Sequence, residues 1–417
     1  MADIDIFDII QNERVITEFQ PIISLKERKM VGIEALSRGV KPECGSVIPP
    51  VTMFEKAKEN NCLVELDRLC RRTAVNNFCR INNRDDLILF VNLDASILDL
   101  IEDTGMSWTK RFADEAGVDC RMIAIEIVES KIDRNEFLSD FVSRHRDYGF
   151  FVTLDDFGAF HSNLDRIIKS KPNIIKIDRS LIADMNRDYY RQSIIKSIID
   201  LSKKIGSLTL AEGLETEEDI VKCYELGVDL FQGFYFSKPV NDFTKLNNCC
   251  SDKINHISSQ IRTHLSSIIE NKQKQHKRFE EITEIILNGI NNKPAELRQG
   301  LMEEMVRSHP EIECLFFLDA NGIQSTETVC CENVVKKASH RLFSPSGAGS
   351  DHSLKDYYYF LKQLSIKKFY TDPYISLATG ELCRTMSMIF KSGEEEEILC
   401  IDFIDRSPGT AHPKAMH

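Results

Sequence analysis

The sequence predicts an α/β protein: a (β/α)8 barrel, then a long polar helix, then a smaller α+β domain. Three observations predict this. Short apolar, β-rich runs alternate with helix-like stretches over the first ~240 residues. Six of those runs carry an acid or amide at or just before the C-terminal end, where barrel active sites form. Near residue 250 the alternation gives way to a helical pattern and then to hairpin-like strands. The 417 residues suit two or three domains, and we place the boundaries at residues 1–247, 248–292 and 293–417.

The runs lie around Val15 to Ile23, Met30 to Leu36, Leu87 to Leu93, Met122 to Val128, Phe150 to Leu154, Ile174 to Ile177, Leu208 to Ala211 and Leu230 to Phe236. Between them, stretches such as Arg191 to Ile205 place apolar residues at helical spacing. A doubly wound open sheet shares this alternation, so the polar residues at the strand ends decide for a barrel. They are Glu34 in VGIEAL, Asn92 in FVNLD, Glu126 in AIEIVE, Asp155 and Asp156 in TLDDFG, Glu212 in LAEGLE and Gln232 in LFQGF. Lys176 in IKID is the one cation among them.

From Ser251 to Ile290 the chain reads as a helix without proline. Ile254, Ile261, Ile268 and Ile282 share one seven-residue phase, and Leu265, Phe279 and Ile286 the offset phase, with Lys272 and Gln275 interrupting the seam. A two-helix dimer contact and packing on the chain's own domains both fit. From about Pro294, CLFFLDANGIQS reads as two strands about the turn Ala320-Asn321-Gly322, Thr379-Gly380 as a hairpin turn, and EEEILCIDFID as a final strand. The acidic run Glu394 to Glu397 reads as a solvated loop.

Composition narrows the function. With 42% apolar and 28% charged residues, the chain is globular rather than disordered. A formal charge of -12 opposes nonspecific attraction to nucleic acid or anionic lipid, so neither a nucleic acid polymer nor a membrane is an expected partner. A small anionic ligand would need local help, such as a metal. No apolar run approaches the ~20 residues of a membrane span, and MADIDIFDIIQNER lacks the order of a secretory signal, so a cytoplasmic protein is expected. The thirteen cysteines, without a CxxC, read as reduced and mostly buried thiols.

Carboxylates converging at a barrel mouth cannot all stay ionised without compensating cations. Two divalent ions would provide that compensation and would also support in-line phosphoryl displacement. Oxygen ligands with one amide, and no Cys or His, indicate a hard ion such as Mg2+ or Mn2+. Acids paired singly with surface Lys and Arg are the plainer alternative. It weakens when the acids stand at successive strand ends.

Here the motifs become specific. Glu34-Ala35-Leu36 with Arg38, preceded by FQPI, is followed in order by FVNLDAS, EIVES, TLDDFG, IIKIDRSLI, LAEGLET and FQGFYFSKP. Over about residues 10 to 245 this set resembles the EAL family of cyclic di-GMP phosphodiesterases. The resemblance implies a TIM-type barrel with an irregular first strand, and two metals held by Glu34, Asn92, Glu126, Asp155, Asp156 and Glu212. It also implies that Asp155 bridges the metals, that Lys176 orients the attacking water, and that Gln232 stands at the edge of the site. Gln20, the Leu36 backbone and Arg38 would contact the dinucleotide. Glu34, Asp155, Lys176 and Glu212 are then the catalytic group. The implied reaction is hydrolysis of cyclic di-GMP to linear pGpG, in a homodimer.

One loop departs from the family pattern: DDFGAFHSNL stands where members usually carry DDFGTGYSSL. Ala159 loses a hydroxyl, Phe160 loses the freedom of glycine, and Asn163 is also altered, while His161 reads as a structural loop residue. Glu129 resembles the glutamate that anchors this loop. An active phosphodiesterase under sensory control is the favoured reading, and a cyclic di-GMP receptor with weak or no turnover is the alternative.

Through FFLDANG, DYYYF, DPYISLATGELCRTMSMIF and ILCIDF, residues 295 to 405 resemble PAS-like sensor domains of the Cache type. The resemblance implies a small-molecule pocket that Tyr358, Tyr374 and Thr385 could line, although each also suits core packing. His340 and His352 lack the partners of a metal site.

Overall fold

The computed structural model describes residues 4–42, 44–94, 97, 107–128, 135–158, 164–290, 297–331, 343–392 and 395–405. It comprises two compact units, residues 1–266 and 267–417.

The first unit is a closed barrel with one added strand. Strands β1 (Val15–Ser24), β2 (Lys29–Val40), β3 (Val47–Ile48), β4 (Ile88–Asp94), β5 (Ile123–Val128), β6 (Phe151–Phe157), β7 (Ile174–Ile177), β8 (Leu208–Ala211) and β9 (Leu230–Phe231) run in the order β1-β9-β8-β7-β6-β5-β4-β2-β3. A β1–β2 pairing closes the ring, and β3 lies outside it on β2. The strands from β2 through β9, β3 excepted, pair in parallel, whereas β1 is antiparallel to both neighbours. Uniform β/α alternation would make β1 parallel too. The link from Leu25 to Arg28 is far too short for a crossover helix, so β1 and β2 form a hairpin.

Period-two alternation along the strands builds the interior in layers. Ile22, Phe90, Ala124, Ile174, Leu210 and Leu230 pack together as an apolar layer. Two residues along each of those strands stand Gln20, Asn92, Glu126, Lys176, Glu212 and Gln232. Gly32 makes room for the Phe90 ring, since a Cβ there would lie 2.7 Å from it, and the next inward residue on β2 is Glu34. Helices Leu63–Cys79, Trp108–Ala116 and Tyr189–Ile205 pack outside, the second capped by Ser107 and the third by Asp188.

One helix, Phe243–Ile290, begins in the first unit and ends in the second. Ile254, Ile257 and Ile261 are buried in the core of the first unit, and Phe279, Ile282 and Ile286 in that of the second. Residues 269–277 between them, with the interrupting Lys272 and Gln275, are exposed. Among the described residues, no helix is long and apolar enough to cross a membrane.

The second unit is an antiparallel sheet of β10 (Ile312–Asp319), β11 (Val329–Cys330), β12 (Lys368–Tyr370), β13 (Tyr374–Ile375), β14 (Leu382–Ser392) and β15 (Glu395–Ile404). Its order is β11-β10-β15-β14-β12, with β13 on β14. Gly380 takes φ 79° in the β13–β14 turn. Three expectations are corrected here. Glu395 to Glu397 begin β15, because Lys391 and Ser392 offer the partner strand and Arg298 meets the Glu397 carboxylate at 2.7 Å; Glu394 is outside the described residues. Cys314 and Cys330 form a disulfide, because the β10–β11 register sets them directly opposite; the other described cysteines are thiols. Tyr374 and Thr385 meet at 2.6 Å, but Tyr358 lies apart from them, its hydroxyl donating to Ala320 O at 3.0 Å over Gly322. His352 is buried, its Nδ1 2.6 Å from the Tyr357 hydroxyl, and His340 is outside the described residues.

Asp402 on β15 is buried and accepts from Thr385 Oγ1 at 2.7 Å. Burial pushes its carboxyl up to about 7 against the Thr385 hydrogen bond, with the nearby Glu313 charge adding to the rise. The folded state therefore holds a proton that the unfolded chain releases near pH 4, so stability from this group is full below about pH 4 and is lost as pH rises through about 7. We expect the second unit to lose on the order of 2–4 kcal/mol across that window, and Asp402→Asn to flatten the loss. Hydrogen exchange of β14 and β15 amides, corrected for intrinsic rate, measures this. An unchanged pH profile in Asp402→Asn would contradict it.

Candidate active site

The mouth of the barrel gathers the polar layer around one ammonium group. Lys176 Nζ lies 2.8 Å from Glu126 Oε1, 2.9 Å from Asp155 Oδ1, 2.5 Å from Glu212 Oε1 and 3.7 Å from Glu34 Oε2. Lys176 is only 1% exposed, so water screens none of these pairs effectively. Asn92 Nδ2 donates to Glu34 Oε1 at 3.0 Å, and Gln232 Nε2 donates to Glu34 Oε2 at 2.6 Å and to Gln20 Oε1 at 3.1 Å. Gln20 Nε2 in turn donates to Ser237 O at 3.2 Å. Thus the sequence-derived candidates on β1, β2, β4, β5, β6, β7, β8 and β9 are brought into one site.

Consecutive strand residues normally face opposite sides, yet Asp155, Asp156 and Glu212 each offer an oxygen within 4.8 Å of the others. The cause is local. Asp156 takes φ 54°, in the left-handed region, and the β6–β7 register slips between Leu154 and Phe157. The bulge turns the second carboxylate toward the mouth as well.

The electrostatics follow from burial and crowding. For Lys176, burial favours the neutral amine, but Asp155, Glu126, Glu212 and Glu34 hold it protonated well above its usual range. Burial, with the charges of Glu34 and Asp155, pushes Glu126 well up. Burial and the charges of Asp155 and Glu34 outweigh the pull of Lys176 and carry Glu212 to about 8. Burial also resists ionisation of Glu34, yet Lys176 and the Asn92 and Gln232 hydrogen bonds hold it below the usual range.

This donor set fits hard divalent cations. Four carboxylates face one lysine, Asp156 adds a fifth beside Asp155 and Glu212, and Glu126 Oε2 is buried without a hydrogen-bond partner. The mouth lies where two clefts meet, both bordered by Glu34 and Asp155. One, about 530 Å³, runs over Leu36, Arg38, Phe54, Arg71 and Asn92. The other, about 170 Å³, runs over Gln20, Arg179, Gln232 and Phe234.

Arg38 lines the larger cleft but is engaged, with Nε 3.0 Å from Glu18 Oε2 across the β1–β2 hairpin and Nη1 donating to Ser37 O. Glu129 and the altered positions 159, 160, 161 and 163 are outside the described residues. Sequence reasoning missed the buried Asp67–Arg71 pair in the cleft wall, where Arg71 Nε donates to Asp67 at 2.8 Å and Nη1 to Thr109. An i,i+4 Asp/Arg spacing looks the same on a solvated helix face, so only burial marks this one. Arg179 and Phe234, beside the recognised Lys176 and Gln232, were within reach of the motif.

A hard-cation site at the C-terminal mouth of a barrel is the class that fold and side chains define. The EAL domain family model matches residues 5–239, and the chain belongs to that family. It is 27% identical over 396 residues to YkuI, an uncharacterised EAL-domain protein of Bacillus subtilis (strain 168), covering 92% of this chain and 94% of YkuI. It is 26% identical over 239 residues to the cyclic di-GMP phosphodiesterase PdeR of Escherichia coli (strain K12), covering 57% of this chain but only 36% of PdeR. The crystal structure of Bacillus subtilis YkuI with substrate c-di-GMP and calcium, 24% identical, shares the fold with a TM-score of 0.79 over 97% of this chain and 100% of that one. The calcium/cy-diGMP complex of Klebsiella pneumoniae BlrP1, 26% identical, aligns over 56% of this chain and 57% of that one with a TM-score of 0.50.

Lys176 can be tested apart from any reaction. Without divalent ions, Lys176→Met leaves the buried carboxylates with no cation and should cost about 3–5 kcal/mol in denaturant unfolding at pH 8. Added Mn2+ should recover more stability in the variant than it adds to the parent. A variant as stable as the parent in EDTA would show that Lys176 does not balance this site.

Proposed function

We propose that the chain hydrolyses one phosphodiester of cyclic di-GMP to linear pGpG, with two divalent cations, Mg2+ or Mn2+, held by Glu34, Asn92, Glu126, Asp155, Asp156 and Glu212. The observation that carries this reading is the convergence of four carboxylates around Lys176, with Asp156 beside two of them, where two clefts meet in a chain of the EAL family. When bound, the ions would lower the pKa of water and neutralise charge on the phosphoryl oxygens. Asp155 would bridge them, a role supported by its position on the border of both clefts and beside Asp156 and Glu212.

The chain's own residues supply the positioning. Asn92 and Gln232 fix the two oxygens of Glu34, and Lys176 fixes Asp155, Glu126 and Glu212, so little reorganisation accompanies substrate binding. Val51 and Phe54 give the larger cleft an apolar wall for one nucleotide half, and Phe234 with Arg179 faces the other. Arg38 would exchange Glu18 for a phosphate oxygen. Within the same reading, the second unit is a PAS-like sensor domain of the Cache type and the chain is a cytoplasmic homodimer. Supporting these are the antiparallel sheet, in which half-buried Tyr374 meets the buried Thr385–Asp402 pair, and the exposed Ile269 on the helix that leads into it.

Incubating the full chain with cyclic di-GMP and Mg2+ or Mn2+ and resolving products by chromatography tests the reaction. We expect pGpG, with turnover reduced at least about a thousandfold in Glu34→Gln and in Asp155→Asn. Binding of cyclic di-GMP by the parent without pGpG formation would overturn the enzyme in favour of a receptor.

A further inference from the structure

A third cleft of the first unit, about 620 Å³, shares no lining residue with the two at the mouth. It lies between the start of β1, the C-terminal end of helix Leu63–Cys79 and the start of helix Phe243–Ile290, and its volume is that of a small-ligand pocket. Its wall combines Thr17, Asn77, Arg80 and Asn241 with Phe19 and Phe243, and the loop residues Asn82 and Asn83 complete the rim.

One feature of this wall is unexplained by the fold, and a second leaves its solvent-facing groups open to a ligand. Thr17 is 4% exposed, yet its hydroxyl has no hydrogen-bond partner, although a buried hydroxyl left unpaired costs about 1–3 kcal/mol. The carboxamides of Asn77, Asn82, Asn83 and Asn241 likewise make no hydrogen bond to any protein group, and Arg80 forms no ion pair, among the described residues. Donors and acceptors without a protein partner therefore surround a cleft whose described lining includes two aromatic residues and one cation.

We propose that this cleft binds a nucleoside monophosphate. Carboxamides offer a donor and an acceptor side by side, which matches the hydrogen-bonding edge of a nucleobase. Phe243, half-buried in this wall, offers ring surface to its face. Arg80 offers a bidentate partner to one phosphate group, and among the described residues no acid lines the cleft to repel it. The site backs onto the catalytic mouth through one peptide bond: Phe19 in this wall precedes Gln20, which meets Gln232 and through it Glu34. The assignment does not depend on the hydrolysis proposed above.

Calorimetric titration of the full chain with GMP, AMP, guanosine and ribose 5-phosphate tests it. EDTA is included so that the carboxylates of the mouth repel phosphate. We expect saturable one-to-one binding of a nucleotide, weakened about tenfold by Asn77→Leu or Thr17→Val. Arg80→Ala should reduce GMP to the affinity of guanosine and leave guanosine unchanged. Circular dichroism and denaturant midpoints check that each variant folds; Arg80 and Asn241 are exposed, so Arg80→Ala and Asn241→Leu carry the test if Thr17→Val does not fold. No saturable binding at millimolar nucleotide would overturn the proposal. So would binding indifferent to these variants but abolished by Glu34→Gln, which places the nucleotide at the mouth. Ribose 5-phosphate binding as tightly as GMP would overturn the nucleobase assignment.

Discussion

One buried ammonium group among carboxylates that outnumber it constrains the first unit. Lys176 contacts Glu126, Asp155 and Glu212 directly and lies near Glu34, in a pocket it barely shares with water. Such a cluster is costly unless more positive charge joins it, because each carboxylate opposes the ionisation of the next. The opposite responses of Glu34, held low, and Glu212, carried to about 8, are two faces of this imbalance. A site that favours cations follows from the charge count before any reaction is considered.

The barrel makes that concentration of charge tolerable by stacking it on an apolar layer. Phe90 fills the space left by Gly32, and Ile22, Ala124, Ile174, Leu210 and Leu230 complete a dry floor two residues below the polar rim. Gly233 allows a similarly close approach next to Gln232, since a Cβ there would stand 2.1 Å from Leu214 O. The mouth is therefore closely packed where it positions charge. The left-handed backbone at Asp156 is its local cost, sustained by the surrounding β6–β7 pairing.

Much of this was readable in the sequence because period two and strand ends leave a direct trace. VGIEAL, FVNLD and AIEIVE each show an apolar run ending in a polar residue, and the structure puts Glu34, Asn92 and Glu126 in one site. Less visible were features that depend on pairing across the chain. The short link at Leu25 to Arg28 implied a hairpin, but β/α counting treats β1 and β2 alike. The Cys314–Cys330 bridge depends on register, and cysteine counting cannot supply register. Glu395 to Glu397 looked like a solvated loop until β14 offered them a partner strand. The asparagines of the third cleft carry no sequence signal, and only the cleft they share with the buried Thr17 hydroxyl sets them apart.

The central claim is that the acidic rim holds a pair of hard cations. Anomalous diffraction from crystals of the full chain grown with Mn2+ measures it most directly. The account predicts two peaks about 3.5–4 Å apart, with Asp155 between them and Glu34, Asn92, Glu126, Asp156 and Glu212 as ligands. A mouth without anomalous signal, while Mn2+ binds elsewhere on the molecule, would contradict it.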